Sequence, residues 1–118
     1  MMRTKLILAL LLPLNLCAQK IYVEEYSSRA DISVYVTEYE SRADLLVYKQ
    51  EYASRATGNK GLWFFEEYAS RADKTIFFEE YESRADLTIF FVDYSSRAGW
   101  KNTQKKHLLY WKNDFLLF

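Results

Sequence analysis

The sequence predicts a mainly β domain built from a short repeat, on three observations. Ser-Arg-Ala recurs six times at a nearly fixed step, and a run of β-branched and aromatic residues precedes each later copy. The step is too short to hold the crossover of an ordinary parallel α/β unit. What is expected is a small repeat-built domain of six strand-plus-corner units, a β-solenoid or a meander of short strands.

Aligned on the arginine, the units centre on Arg29, Arg42, Arg55, Arg71, Arg84 and Arg97. The step is 13 residues except between the third and fourth units, where it is 16 and "TGNKG", Thr57 to Gly61, takes the place of the usual aspartate. Turn formers there predict a wider turn between two groups of three units.

The first half of a unit reads as a strand: "ISVYV" from Ile32, "LLVYK" from Leu45, "LWFF" from Leu62, "KTIFF" from Lys74 and "LTIFF" from Leu87. Val, Ile, Tyr and Phe dominate these runs, which are too short for stable helices. Alternation puts Val34 and Val36 on one face and Tyr35 on the other. The position of Tyr35 is held in all six units by an aromatic residue, namely Tyr22, Tyr35, Tyr48, Phe64, Phe77 and Phe90, so both faces are expected to be covered.

The second half, "EEYSSRAD" and its copies, reads as a compact corner. Ser and Asp hydrogen-bond nearby backbone and favour a turn, and seven or eight residues are marginal for a helix. Two copies are identical letter for letter: "EYESRAD" at Glu38 to Asp44 and again at Glu80 to Asp86.

Outside the repeats the chain changes character. Arg3 and Lys5 followed by "LILALLLPLNL" and a small residue, Ala18, have the form of an export signal, so residues 1–18 are set apart from the fold. The apolar run is short for a permanent membrane span. The lone Cys17 follows Leu16, whereas lipoprotein processing uses a small residue there, so a cut after Ala18 is preferred and leaves no cysteine. The expected division is a signal peptide over 1–18, a repeat domain over 19–110 and an apolar extension over 111–118. The expected location is periplasmic or secreted.

Charge follows the same division. The 118 residues have a formal net charge of zero, but Ile21 to Trp100 holds 15 acids against 9 bases, and the ends hold 7 bases with Asp114 alone opposing them. An acidic centre gives no basic stripe, and nucleic acid is not an expected partner.

The order of the units carries a resemblance. The succession of "VY-x-x-E-Y-x-S-x-AD" units, the central "ATGNKGLWFF", the "ADKTIFF" and "ADLTIFF" units and the closing "AGWKN....KKHLLY" resemble the septoil-knot family of small bacterial domains, over roughly Ile21 to Tyr110. The resemblance implies a β-rich domain whose backbone forms a deep seven-crossing torus knot. Composition and spacing alone do not lead there, since knots are nearly absent among folds.

Catalytic chemistry finds little support in these residues. His107 is the only histidine and lies outside the repeats, so a Ser-His-Asp site is not expected. Zinc lacks its usual ligands, and the acid pairs Glu24-Glu25, Glu66-Glu67 and Glu79-Glu80 read as a solvated rim rather than a hard-cation site. No cofactor and no metal are expected, and six equivalent carboxylate sets argue against a singled-out hydrolytic pair.

The residues that stand out are two ladders: Arg29, Arg42, Arg55, Arg71, Arg84 and Arg97, and Tyr26, Tyr39, Tyr52, Tyr68, Tyr81 and Tyr94. No lysine replaces an arginine, which points to the planar guanidinium fork or to stacking. The structural reading has each arginine pairing with a carboxylate of another unit or stacking on its tyrosine, and the tyrosines forming core. The binding reading has both ladders exposed and holding a carbohydrate or polyanion. The overall expectation is an exported, non-enzymatic structural or interaction domain, with carbohydrate or polyanion binding as the alternative and a carboxylate-dependent hydrolase as a second. A protein contact through Trp111, Phe115, Leu116, Leu117 and Phe118 is a further expectation.

Overall fold

The computed structural model describes residues 19–110; the signal-like segment, Cys17 and the extension with Trp111, Phe115, Leu116, Leu117 and Phe118 lie outside the described residues. Seven strands form: β1 (Lys20–Val23), β2 (Ile32–Val36), β3 (Leu45–Lys49), β4 (Leu62–Phe65), β5 (Lys74–Phe78), β6 (Leu87–Phe91) and β7 (Gly99–Trp100). The five quoted strand runs fall on β2 to β6, and each Ser-Arg-Ala corner contains one three-residue 3-10 turn.

The strands are neither a solenoid nor a meander. The sheet order is β4-β1-β5-β2-β6-β3, and β3 pairs with β4 to close a six-stranded barrel in which every pairing is parallel. The two-residue β7 adds antiparallel to the start of β3. Units one to three make one round of the barrel, and units four to six slot between them. This interleaved winding is compatible with the torus winding implied by the resemblance.

Thirteen residues suffice for a parallel connection because the register is steeply staggered. Val23 at the end of β1 and Ile32 at the start of β2 both pair with Ile76 of β5, one on each side. Val36 and Leu45 flank Ile89 in the same way, Phe65 and Lys74 flank Ile21, and Phe78 and Leu87 flank Val34. A corner therefore does not return to the other end of the barrel. It steps over one strand, a lateral distance of about 10 Å. Followed once round the ring, the pairings advance by about twelve residues, twice the strand number, and such a shear demands strongly tilted strands.

The inward positions stack in three rings of six. The middle ring is Ile21, Val34, Val47, Trp63, Ile76 and Ile89, all without solvent exposure. Below it lie Gln19, Ile32, Leu45, Gly61, Lys74 and Leu87, also buried. Gly61, just before β4, answers the indole of Trp63 two residues on, and it must be glycine. Its φ is +85°, and an added Cβ would lie 2.2 Å from the Leu46 carbonyl oxygen. The upper ring is Val23, Val36, Lys49, Phe65, Phe78 and Phe91.

The two ends of the barrel differ. The lower end is plugged by a seven-residue 3-10 helix, Thr103–Leu109, whose Leu109 joins the core and whose Asn102 cap accepts from the Gln104 N–H at 3.2 Å. The Leu109 carbonyl accepts from Gln19 Nε2, and Asn59 Nδ2 donates to the Lys106 carbonyl at 3.0 Å, tying the plug to the wide turn. The upper end is open.

Aspartate, the last residue of most corners, locks the fold. Asp31 donates its N–H to the Thr75 carbonyl and accepts the Thr75 N–H on Oδ2 at 3.0 Å, so the corner between β1 and β2 grips the strand it steps over. Asp44 grips Thr88, Asp73 grips Lys20 and Asp86 grips Ser33 by the same two bonds. The gripped positions are polar, and where the corner lacks Asp the equivalent strand residues are Leu46 and Leu62. Thr75 and Ser33 add a hydroxyl that accepts from Asp31 N–H and Asp86 N–H. The carboxylate closes a contact with another unit instead of its own turn.

Candidate functional site

The corners form the outer surface, and their local geometry sets Tyr beside Arg. Each tyrosine caps its 3-10 turn with extended φ and ψ, and its carbonyl accepts from the N–H of the arginine three residues on at 3.0–3.1 Å. Side chains three apart nearly eclipse in such a turn. The guanidinium consequently lies over the ring, with centroid distances of 5.2–5.6 Å for Arg29 on Tyr26, Arg42 on Tyr39, Arg55 on Tyr52, Arg71 on Tyr68 and Arg84 on Tyr81. Arg97 instead pairs with Glu40.

All six tyrosines are exposed, at 56–68%. The core reading of this column is overturned. Alternate strand positions face inward, and the tyrosine falls where the chain has left the sheet. The six arginines are exposed as well. The aromatic column that is half-buried is the other one, Tyr22, Tyr35, Tyr48, Phe64, Phe77 and Phe90, lying on the outer barrel face beneath the corners.

Arginine ties units together in two cases. Arg42 reaches Glu82 at 3.9 Å, and Arg97 reaches Glu40. The corners involved are neighbours around the barrel, not along the chain. Only the two "EYESRAD" copies place a glutamate at the first turn position; Ser27, Ala53, Ala69 and Ser95 stand there in the others. Arg29, Arg55, Arg71 and Arg84 make no ion pair among the described residues. The identity of the two copies was the signal in the sequence for these pairs.

Between neighbouring corners the surface forms grooves. One of about 350 Å³ lies between the first and fifth corners and is lined by Ser27, Phe77, Phe78, Glu79, Glu80, Tyr81 and Arg84. It combines an aromatic floor, a ring presented edge or face, two carboxylates and a guanidinium fork. A second, of about 390 Å³, lies where the third and sixth corners meet and is lined by Gln50, Lys60, Leu62, Ser95, Ser96 and Ala98. The acid pair Glu79-Glu80 contributes to the first groove, whereas Glu24-Glu25 and Glu66-Glu67 stand at the starts of other corners.

His107 sits exposed on the plug helix and donates from Nδ1 to the Gln104 carbonyl at 2.9 Å. Among the described residues no group of three or more His, Cys, Asp or Glu side chains is placed to hold a metal ion, and no helix is long and apolar enough to cross a membrane. One carboxylate has a displaced acidity. Burial raises the pKa of Asp73 above the ordinary carboxylate range, against the Lys20 N–H bond and the Lys20 charge, with Glu66 adding to the rise.

Comparison with known proteins agrees with this geometry. A family model described as the 7(1) septoil knot domain matches residues 18–101. No curated protein and no solved structure matches the chain significantly.

Proposed function

The chain belongs to the 7(1) septoil knot domain family, and we propose that it is a non-catalytic interaction domain that binds carbohydrate through its outer corners. The observation that carries this reading is the exposure of all six tyrosines, five with an arginine stacked on the ring. A pyranose offers a C–H face to an exposed ring and hydroxyls to a guanidinium fork and carboxylates, and the groove of Tyr81, Arg84, Glu79 and Glu80 holds all three. The excess of acids over bases in the repeats favours neutral or amino sugars over a polyanion. The signal-like amino terminus supports an exported location, where such ligands occur.

A glycan array probed with the full chain tests this. The expected result is binding to a subset of neutral or amino glycans that is reduced at least tenfold by Tyr81→Ala together with Arg84→Lys. No binding to any glycan, or binding to acidic glycans alone, contradicts it. A purely structural role for the corners is supported by the Arg42–Glu82 and Arg97–Glu40 pairs, and it predicts an empty array.

A further inference from the structure

We propose that the open upper end of the barrel is a second binding site, a shallow cup for a small amphiphile with an apolar body and one anionic head group. Six residues at equivalent positions of the six units, Val23, Val36, Lys49, Phe65, Phe78 and Phe91, converge there around a cavity of about 400 Å³. The opposite end is filled by Leu109 and its helix, whereas at this end Val36 is 37% exposed. The floor is the fully buried middle ring, Trp63 among it, so a ligand seats one layer deep and its apolar body is short. A concave, mainly apolar site with one oriented polar group has the form in which small molecules are bound.

Lys49 selects the head group. It is the single polar side chain lining the cup, its Nζ lies 4.3 Å from the Phe91 ring centroid, and it makes no ion pair among the described residues. Glu24, Glu66 and Glu79, next in the chain after cup residues, alternate to the outer face and do not line the cavity. A carboxylate or sulfonate above the Phe65, Phe78 and Phe91 wall meets the ammonium. The cup shares Phe78 with the first corner groove and none of that groove's tyrosine, arginine or carboxylates.

The test uses the full chain, octanoate, and 1-octanol as the uncharged analogue, with displacement of 1-anilinonaphthalene-8-sulfonate and methyl NMR shifts of Val23 and Val36 as readouts. Octanoate is expected to displace the dye saturably, to shift both valines and to bind at least tenfold more tightly than octanol. Lys49→Gln is expected to bring octanoate down to the octanol level while leaving octanol unchanged, which also reports that the cup is intact. Val36→Glu is expected to abolish both. Equal binding of acid and alcohol, or no valine shift at millimolar octanoate, overturns the proposal. Binding that appears only after removal of residues 111–118 assigns the cup to the chain's own end, and valine shifts that track protein concentration assign it to a second copy; either outcome overturns it.

Discussion

At the scale of single residues, the aspartates and the tyrosines of one corner do different work. Asp44 illustrates the first: its carboxylate accepts from Thr88 N–H at 2.9 Å, Asn102 Nδ2 at 3.3 Å and Lys105 Nζ at 3.2 Å, joining a corner, a strand and the plug helix. Its removal strands partly buried donors, so Asp44→Ala is expected to cost about 2–3 kcal/mol. Asp31 makes its bond where water can replace it, and Asp31→Ala should cost under about 1 kcal/mol. Urea denaturation of the two variants checks the order. Asp73 adds a pH dependence. Because burial raises its pKa, the folded chain holds that proton to higher pH than the unfolded chain does, and this group's contribution to stability falls as pH rises through the window between the two values. Asp73→Asn keeps an acceptor for Lys20 N–H without the buried charge. Its urea midpoint relative to the parent is therefore expected to climb from acidic to neutral pH; a flat difference contradicts the assignment. The role of these aspartates was half legible. Asp was readable as a hydrogen-bonding corner residue, but its partner lies 44 to 53 residues away, beyond any local pattern.

At the scale of elements, β2 to β6 were legible because their side chains alternate on a buried sheet, and their inward positions are those the Val34–Val36 alternation implies; β7, two residues long, was not. The corner was legible as a turn for the same local reason, since Ser, Asp and a short span disfavour anything longer. What decides which strand is neighbour to which is the stagger, set by non-local pairing, and a thirteen-residue step does not by itself reveal it. The wide turn shows how local chemistry serves this stagger. "TGNKG" joins β3 to its direct neighbour β4, the one connection between successive barrel strands that steps over none. Gly58 and Gly61 both have positive φ, but only Gly61 faces a wall. Gly61→Ala is expected to cost at least about 3 kcal/mol, the top of the usual range, while Gly58→Ala, where a Cβ meets only the Lys60 side chain at 3.8 Å, is expected to cost about 1–2 kcal/mol from backbone strain. Thermal unfolding of the pair separates a steric requirement from a conformational one.

At the scale of the whole molecule, six short units that could not bury a core singly close on one another. The interleaving leaves the closed barrel no free edge, places three rings of side chains inside and sends every corner to the outside. The exposure of the Tyr and Arg ladders follows from that closure. Period and composition carry no sign of it, which is why the tyrosine column at repeat spacing reads as core. The resemblance in unit order supplied what the pattern could not. Each Asp-bearing corner divides its work: aspartate holds the barrel, and the Tyr–Arg pair is surface available to a ligand. Thermal unfolding of two fourfold variants tests it most directly, one with Asp31, Asp44, Asp73 and Asp86 changed to Ala, the other with Tyr26, Tyr52, Tyr68 and Tyr81 changed to Ala. A fall of at least about 15 °C, or failure to fold, is expected for the aspartate variant, and a change within about 5 °C for the tyrosine variant. Equal losses, or a larger loss from the tyrosines, would contradict it.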